Sequence, residues 1–240
     1  MGDDNAVWTI SWLGHSSFRI ETGGQTLLLD PWLKGNPSFP DARYDEAIKG
    51  VSHILLSHGH FDHASEVKEI AGATGATVLG MVELIAWLDL GDKGVGLNKG
   101  GTVSLGDPAN SVVAATLVNA VHSSSAPSDG PPIYAGGEGG WMIRSRGETL
   151  YFAGDTDVMA DMAIFEDLHQ PRIGVLPIGG HFTMDSRRAA YACKKFFNFE
   201  TVIPCHYATF PLLEQSADAF AEAVAPTKVT APAVMEPITL

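Results

Sequence analysis

The chain has 240 residues, 45% of them hydrophobic, which suits a single domain over residues 1–240 with one large core. Lys and Arg together number 15 against 28 Asp and Glu, so the formal net charge is −13 at pH 7. An acidic chain repels phosphate backbones, and this charge therefore excludes nucleic acid as an expected partner.

Strand-like and helix-like segments alternate through the first half of the chain. β-branched or aromatic residues alternate with small or polar ones on both sides of a turn at Gly23 and Gly24. This pattern predicts that the chain begins as β-sheet. The run at residues 52–57 is apolar on both faces, and such strands are usually covered on both sides. The predicted strands of this half are residues 7–20, 25–30, 52–57 and 76–79, and the predicted helices are residues 65–73 and 82–90.

The second half repeats this rhythm, which indicates an α/β fold with layered sheets and helices. Asp185 is expected to cap a helix that begins at Ser186. Residues 123–137 are rich in Ser, Pro and Gly and predict a surface loop near the functional site. The predicted strands are residues 102–105, 111–121, 140–144, 149–153, 173–176 and 201–204, with short strands near Val234 and Ile238, and the predicted helices are residues 158–168, 186–197 and 212–224.

A dense group of potential metal ligands follows the predicted strand at residues 52–57. His58, His60, Asp62 and His63 lie within six positions, and imidazole and carboxylate groups suit zinc, iron and manganese. Residues two apart in an extended segment point the same way, so His58 and His60 can share one metal. The turn that follows can direct Asp62 and His63 at a neighbouring metal.

Three further ligands are predicted at later strand ends, because two metal ions about 3.5–4 Å apart need more than four ligands. His122, Asp155 and His206 each come just after a predicted strand. α/β folds place their chemistry at the carboxyl ends of strands. The sequence thus predicts that these residues meet the earlier group.

The order of these motifs resembles the signature of the metallo-β-lactamase-fold hydrolases. The matching segments are SHGHFDH at residues 57–63, His122, GDT at residues 154–156 and PCH at residues 204–206. Three more segments are similar to the small branch that includes ascorbate-phosphate lactonase and N-acyl-phosphatidylethanolamine phospholipase D. They are LGHSSF at residues 13–18, LDP at residues 29–31 and GGHFTMD at residues 179–185.

This resemblance implies a four-layer αββα sandwich with two divalent metal ions in a cleft along one edge. Zinc is the first expectation for both ions, and manganese, iron or nickel are alternatives. By matching position, the first metal would be held by His58, His60 and His122, the second by Asp62, His63 and His206, and both would be bridged by Asp155.

Hydrolysis by a hydroxide between the two metals is the mechanism expected from this ligand set. Asp62 and His181 are the candidate catalytic residues, and His181 could bind substrate or stabilise an oxyanion. His15 is either a residue of the cleft or a buried structural histidine. Asp30 either orients a ligand histidine or forms a turn before Pro31.

The leading functional hypothesis is a dinuclear hydrolase that cleaves an ester, lactone, amide or phosphodiester bond in a small or lipid-like substrate. A mononuclear or diiron redox enzyme of the same fold is the second hypothesis, and a metal-binding module without catalysis is the non-enzyme alternative. A nuclease is disfavoured by the negative charge. Metal counting discriminates between hydrolase and mononuclear oxidase.

A cytoplasmic location is expected from three features of the sequence. The cysteines, Cys193 and Cys205, are too few for a disulfide framework. Residues 1–7 lack the regions of a signal peptide, and no apolar run approaches the roughly 20 residues that cross a bilayer. The sequence leaves open whether copies of the chain assemble.

Overall fold

The computed structural model describes residues 7–107 and 109–240 and contains two large sheets. Residues 1–6, which belong to the segment predicted to carry no signal peptide, lie outside the described residues. Among the residues that are described, no helix has the length and apolar character needed to cross a membrane.

The first sheet has seven strands in the order β16-β1-β2-β3-β4-β5-β6. Its early strands pair antiparallel as hairpins, whereas β3, β4, β5 and β6 are parallel. The parallel strands therefore end at the same edge. The strands are β1 Thr9–Trp12, β2 Phe18–Thr22, β3 Gln25–Leu29, β4 His53–Leu55, β5 Thr77–Met81, β6 Gly94–Leu97 and β16 Pro237–Thr239.

The second sheet also has seven strands, in the order β15-β14-β13-β12-β11-β8-β7. Its strands β12, β13 and β14 are parallel, and β8 runs in the same direction because β11 is antiparallel to both β8 and β12. The strands are β7 Thr102–Leu105, β8 Val113–Asn119, β11 Gly139–Ser145, β12 Glu148–Phe152, β13 Ile173–Pro177, β14 Thr201–Cys205 and β15 Lys228–Val229. A two-stranded ribbon, β9 Ser125–Ala126 and β10 Ile133–Tyr134, lies within the loop predicted at residues 123–137.

Helices form the outer layers and confirm the predicted αββα sandwich. The predicted cap of α6 is present, since the Asp185 side chain accepts a hydrogen bond from the Arg188 backbone N–H at 2.7 Å. The helices are α1 Tyr44–Ile48, α2 Phe61–Ala64, α3 Val67–Thr74, α4 Val82–Leu88, α5 Asp161–His169, α6 Ser186–Phe196 and α7 Asp218–Val224.

Buried contacts between the two sheets form the centre of the core. The rings of Phe18 and Phe152 meet edge to face with centroids 6.1 Å apart. The indole Nε1 of Trp141 donates a hydrogen bond to the Leu56 carbonyl at 3.1 Å, and both residues are buried. Because Leu56 lies two positions before His58, this bond connects the core to the predicted site.

The prediction of one strand over residues 7–20 is wrong, because the chain reverses at residues 13–17. Gly14 and His15 have φ angles of +92° and +52°, a left-handed conformation that extended strands do not contain. The two halves pair as the hairpin of β1 and β2. His15 therefore lies in a turn at the edge of the first sheet.

The predictions for the C-terminal part of the chain are partly wrong. The helix predicted over residues 212–224 begins only at Asp218, because the segment before it forms backbone bonds to other loops. One of these joins the Glu214 N–H to the Gly179 carbonyl at 2.9 Å. Val234 lies in a turn, where Met235 has a φ angle of +66°, and not in a strand. The strand predicted near Ile238 is present as β16.

Replacing Trp141 with Phe should lower the free energy of unfolding by about 2–4 kcal/mol, because it leaves the buried Leu56 carbonyl unpaired and creates a gap. Urea unfolding followed by circular dichroism measures this loss. Trp87→Phe is the matched control, since the Trp87 side chain is only partly buried. Equal losses in the two variants would show that the inter-sheet bond contributes nothing.

Candidate metal centre

Strand ends of both sheets bring the predicted ligands to one place. The motif that contains His58 follows β4 of the first sheet, whereas His122, Asp155 and His206 follow β8, β12 and β14 of the second. A backbone bond from the Gly139 N–H to the Ser57 carbonyl joins the two sheets beside this point at 2.9 Å. The site is thus built across the interface between the sheets.

His58, His60 and His122 form the first ligand group. One nitrogen atom from each lies within 4.8 Å of the others. His58 Nε2 is 2.9 Å from His60 Nδ1, and His58 is fully buried while the other two are partly exposed. Burial lowers the pKa of His58 well below its ordinary value. It therefore favours the neutral imidazole that binds metals.

His15, Asp62, His63 and His206 form the second group, and one ligand atom from each again lies within 4.8 Å of the others. Asp62 and His63 belong to the short helix α2, which directly follows His60. The structure therefore brings together every member of the second set predicted from the sequence, and it adds His15.

Asp155 lies between the two groups. Its Oδ2 atom is 3.0 Å from His206 Nε2, 3.4 Å from His63 Nε2 and 3.6 Å from His122 Nε2. One carboxylate oxygen thus faces nitrogen atoms of both groups. The position is compatible with the bridging role predicted for Asp155, which stays a prediction.

The chemistry of this donor set fits a cation. Asp30 and Asp155 are buried and Asp62 is largely so, and among the described residues their salt-bridge contacts are all with histidines. His63 Nε2 and Asp155 Oδ1 are buried polar atoms without a hydrogen-bond partner in the described part of the chain. Buried carboxylates are costly unless they are paired or coordinate a metal.

The same charges shift the pKa values of the central residues. Burial alone would raise the pKa of Asp155, but His206 and His63 outweigh it and hold that pKa well below its ordinary value. Burial lowers the pKa of His63, yet the carboxylates of Asp155, Asp62 and Asp30 raise it well above its ordinary value. The centre therefore favours positive charge at the point where these carboxylates converge.

Asp30 and Ser57 hold His63 in place. Asp30 Oδ2 lies 2.8 Å from His63 Nδ1, and Asp30 Oδ1 accepts a hydrogen bond from the Ser57 backbone N–H at 2.7 Å. The Ser57 hydroxyl also donates to Asp30 and lies 2.9 Å from His58 Nδ1. With Nδ1 engaged, His63 directs its free Nε2 towards Asp155 and Asp62.

His15 contacts Asp62 from the turn between β1 and β2. Its Nε2 lies 3.1 Å from Asp62 Oδ2, and its Nδ1 lies 3.0 Å from the Thr209 hydroxyl. Burial lowers the pKa of His15 to about 4, so the ring is neutral at neutral pH. A neutral ring that donates from Nε2 to Asp62 must accept from Thr209 at Nδ1.

His181 is not part of either ligand group. Its side chain is exposed and its ring packs against Phe182, with centroids 4.4 Å apart. Phe182 lines a cavity that reaches the predicted metal ligands, which puts His181 beside the rim of that cavity. The catalytic role predicted for His181 stays a prediction.

The cavity has a volume of about 720 Å³ and opens directly onto both ligand groups. Its walls are mainly apolar and come from the loop at residues 123–137 and from residues 210–212. The sequence predicted that the loop at residues 123–137 lies near the site, but it did not identify residues 210–212 as a wall. The adjacent aromatic and proline residues Phe210 and Pro211 were a signal, but only the fold shows that they face the ligands.

Comparisons with known proteins agree with this geometry. A family model described as Beta-lactamase superfamily domain matches residues 9–206. A UPF0173 metal-dependent hydrolase of Dinoroseobacter shibae is 55% identical over 233 residues, which cover 96% of this chain and 99% of that protein. The UPF0173 metal-dependent hydrolase of Paracoccus denitrificans is 51% identical with the same coverage. The structure of Igni18, a metallo hydrolase from Ignicoccus hospitalis, has a TM-score of 0.84 and 31% identity and covers 97% of this chain and 98% of its own.

Replacing Gly154 with Ala should destabilise the protein, because Gly154 has a φ angle of +61° and an added Cβ would lie 2.6 Å from both the Gly139 carbonyl oxygen and Ser57 Cβ. Gly91→Ala is the matched control, since Gly91 has a φ angle of +57° and open space around it. The backbone strain is common to both variants. We expect the Gly154 variant to lose about 1–3 kcal/mol more free energy of unfolding, measured in urea. Similar losses would contradict close packing at this strand end.

Proposed function

The chain belongs to the Beta-lactamase superfamily and is a metal-dependent hydrolase of the metallo-β-lactamase fold, and from this premise we propose that it is dinuclear and acts on a small organic substrate. The bond cleaved would be an ester, lactone, amide or phosphodiester. The observation that carries the proposal is the position of Asp155 Oδ2 between two groups of imidazole and carboxylate ligands.

The two groups supply the ligands that each metal requires. In the proposed assignment, His58, His60 and His122 hold the first metal, and Asp62, His63 and His206 hold the second. Asp155 bridges them. Imidazole and carboxylate donors of this kind suit zinc, which is the metal we propose for both positions.

Two bound divalent ions would lower the pKa of a water molecule and polarise the bond to be cleaved. The chain itself positions the ligands that make this chemistry effective. Asp30 fixes the orientation of His63, and His15 fixes that of Asp62, so neither ligand has to reorganise. The apolar cavity walls exclude bulk water from the substrate and strengthen electrostatic interactions inside. His181, beside the rim, is our candidate for contact with the leaving group.

The two free thiols, Cys193 and Cys205, are both buried. Burial raises the pKa of Cys193 to about 12 and that of Cys205 well above its ordinary value, so neither is a reactive thiolate. We further propose that the enzyme works in the reducing cytoplasm, because the chain has only these two cysteines and they do not form a disulfide framework.

Replacing His58 with Ala should reduce the metal content from about two ions per chain to at most one and abolish hydrolysis, because one ligand group loses its buried member. Metal analysis by mass spectrometry and a screen over lactones, esters, amides and phosphodiesters measure both effects. His53→Ala is the control, since His53 lies in β4 and belongs to neither ligand group. Full metal content in the His58 variant would overturn the assignment.

Replacing Asp30 with Asn should weaken metal binding about 10–100-fold, because the amide accepts a hydrogen bond from His63 less strongly than the carboxylate. A competitive titration with a chromophoric chelator measures the affinity. Asp161→Asn is the control, since Asp161 accepts a hydrogen bond from Asn119 at 2.8 Å at the start of α5, outside both ligand groups. An unchanged affinity in the Asp30 variant would remove the orienting role.

A further inference from the structure

We propose that the cavity over the metal ligands binds an uncharged, apolar group of the substrate, next to the bond that is cleaved. This inference rests on the proposed function and names its substrate class. The floor of the cavity consists of the predicted metal ligands, whereas its walls are mainly apolar.

The walls consist largely of aromatic, proline and aliphatic side chains. Ala126, Pro127 and Pro132 form one side, from the loop around the ribbon of β9 and β10. Phe210 and Leu212 come from the segment after β14. Contact between such a surface and apolar groups of a ligand lowers the free energy, because both are removed from water.

Large side chains around the cavity mouth are unusually exposed. Phe61 is 58% exposed, Phe182 49% and Leu212 65%, and all three line the same cavity. Apolar side chains that converge from three separate segments around one opening mark a binding site rather than scattered surface hydrophobicity. The walls surround a concave space of about 720 Å³, a size typical of sites for small molecules.

The charges in the cavity limit what can bind there. Its ionisable lining residues all belong to the two ligand groups and Asp155, and no Lys or Arg side chain lines the described cavity. A charged group of the substrate could thus be neutralised only at the metals. A second charge against the walls would lose water without gaining an opposite charge, since the polar wall residues are the neutral Ser123 and Ser125, and this is costly. The group that extends from the scissile bond is therefore neutral.

The first test uses the metal-loaded protein and p-nitrophenyl esters from acetate to octanoate. We expect kcat/KM to rise up to about fourfold for each added methylene, until the chain fills the cavity. The mono-p-nitrophenyl ester of suberic acid has the same chain length as the octanoate but ends in a carboxylate. We expect its kcat/KM to be at least about tenfold lower than that of the octanoate, because no Lys or Arg side chain of the described cavity can neutralise its charge.

Leu212→Ser should flatten the dependence of kcat/KM on chain length, because it removes apolar wall surface. Leu168→Ser is the matched control, since Leu168 is 72% exposed on α5 and does not line the cavity. Unchanged dependence in the Leu212 variant, or equal kcat/KM for all chain lengths and for the suberate ester, would overturn the substrate class while leaving the hydrolase assignment intact.

A second measurement separates this inference from the proposed function. Displacement of the neutral fluorophore N-phenyl-1-naphthylamine by 1-alkanols from butanol to octanol reports binding without turnover. Affinity that rises with chain length and falls in the Leu212 variant would support the apolar cavity. If no ester is hydrolysed in that case, only the proposed ester chemistry is wrong. Affinity that does not depend on chain length would overturn the inference.

Discussion

The site depends on buried negative charge that, among the described residues, has no Lys or Arg partner. The carboxylates of Asp30, Asp62 and Asp155 surround His63 at the edge of the sandwich where the strands of both sheets end. In water these carboxylates would be hydrated, and inside the protein they require an equivalent positive charge. Metal ions in the two ligand groups would provide it. Bound metal ions would thus stabilise the fold locally as well as supply the chemistry.

The site also depends on how the two sheets are joined. The first sheet contributes the motif after β4, and the second contributes the ligands after β8, β12 and β14. The bond from Trp141 to the Leu56 carbonyl and the bond from Gly139 to the Ser57 carbonyl fix the sheets beside the site. Because packed sheets do not deform continuously, the spacing between the ligand groups is set by the core.

The cavity has a polar floor and apolar walls, and the two surfaces have different effects on a bound molecule. The floor concentrates charge where a bond is to be polarised, and the walls lower the local dielectric constant and favour neutral groups. His15 does not line the cavity; it is buried and neutral and contacts Asp62. In the proposed function, the residues that position ligands are therefore different from those that would contact substrate.

The sequence by itself determined the family, the layered architecture and a compact set of candidate ligands. These features can be read from short stretches of sequence. The spacing within residues 58–63 and the polar segments after apolar strands are local patterns that do not require knowledge of the tertiary structure. Only the tertiary structure decided that Asp155 lies between the groups, that His15 contacts Asp62, and that Leu212 belongs to a cavity wall and not to a helix. Those contacts join segments far apart in the chain, and their geometry is fixed by the packing of two sheets.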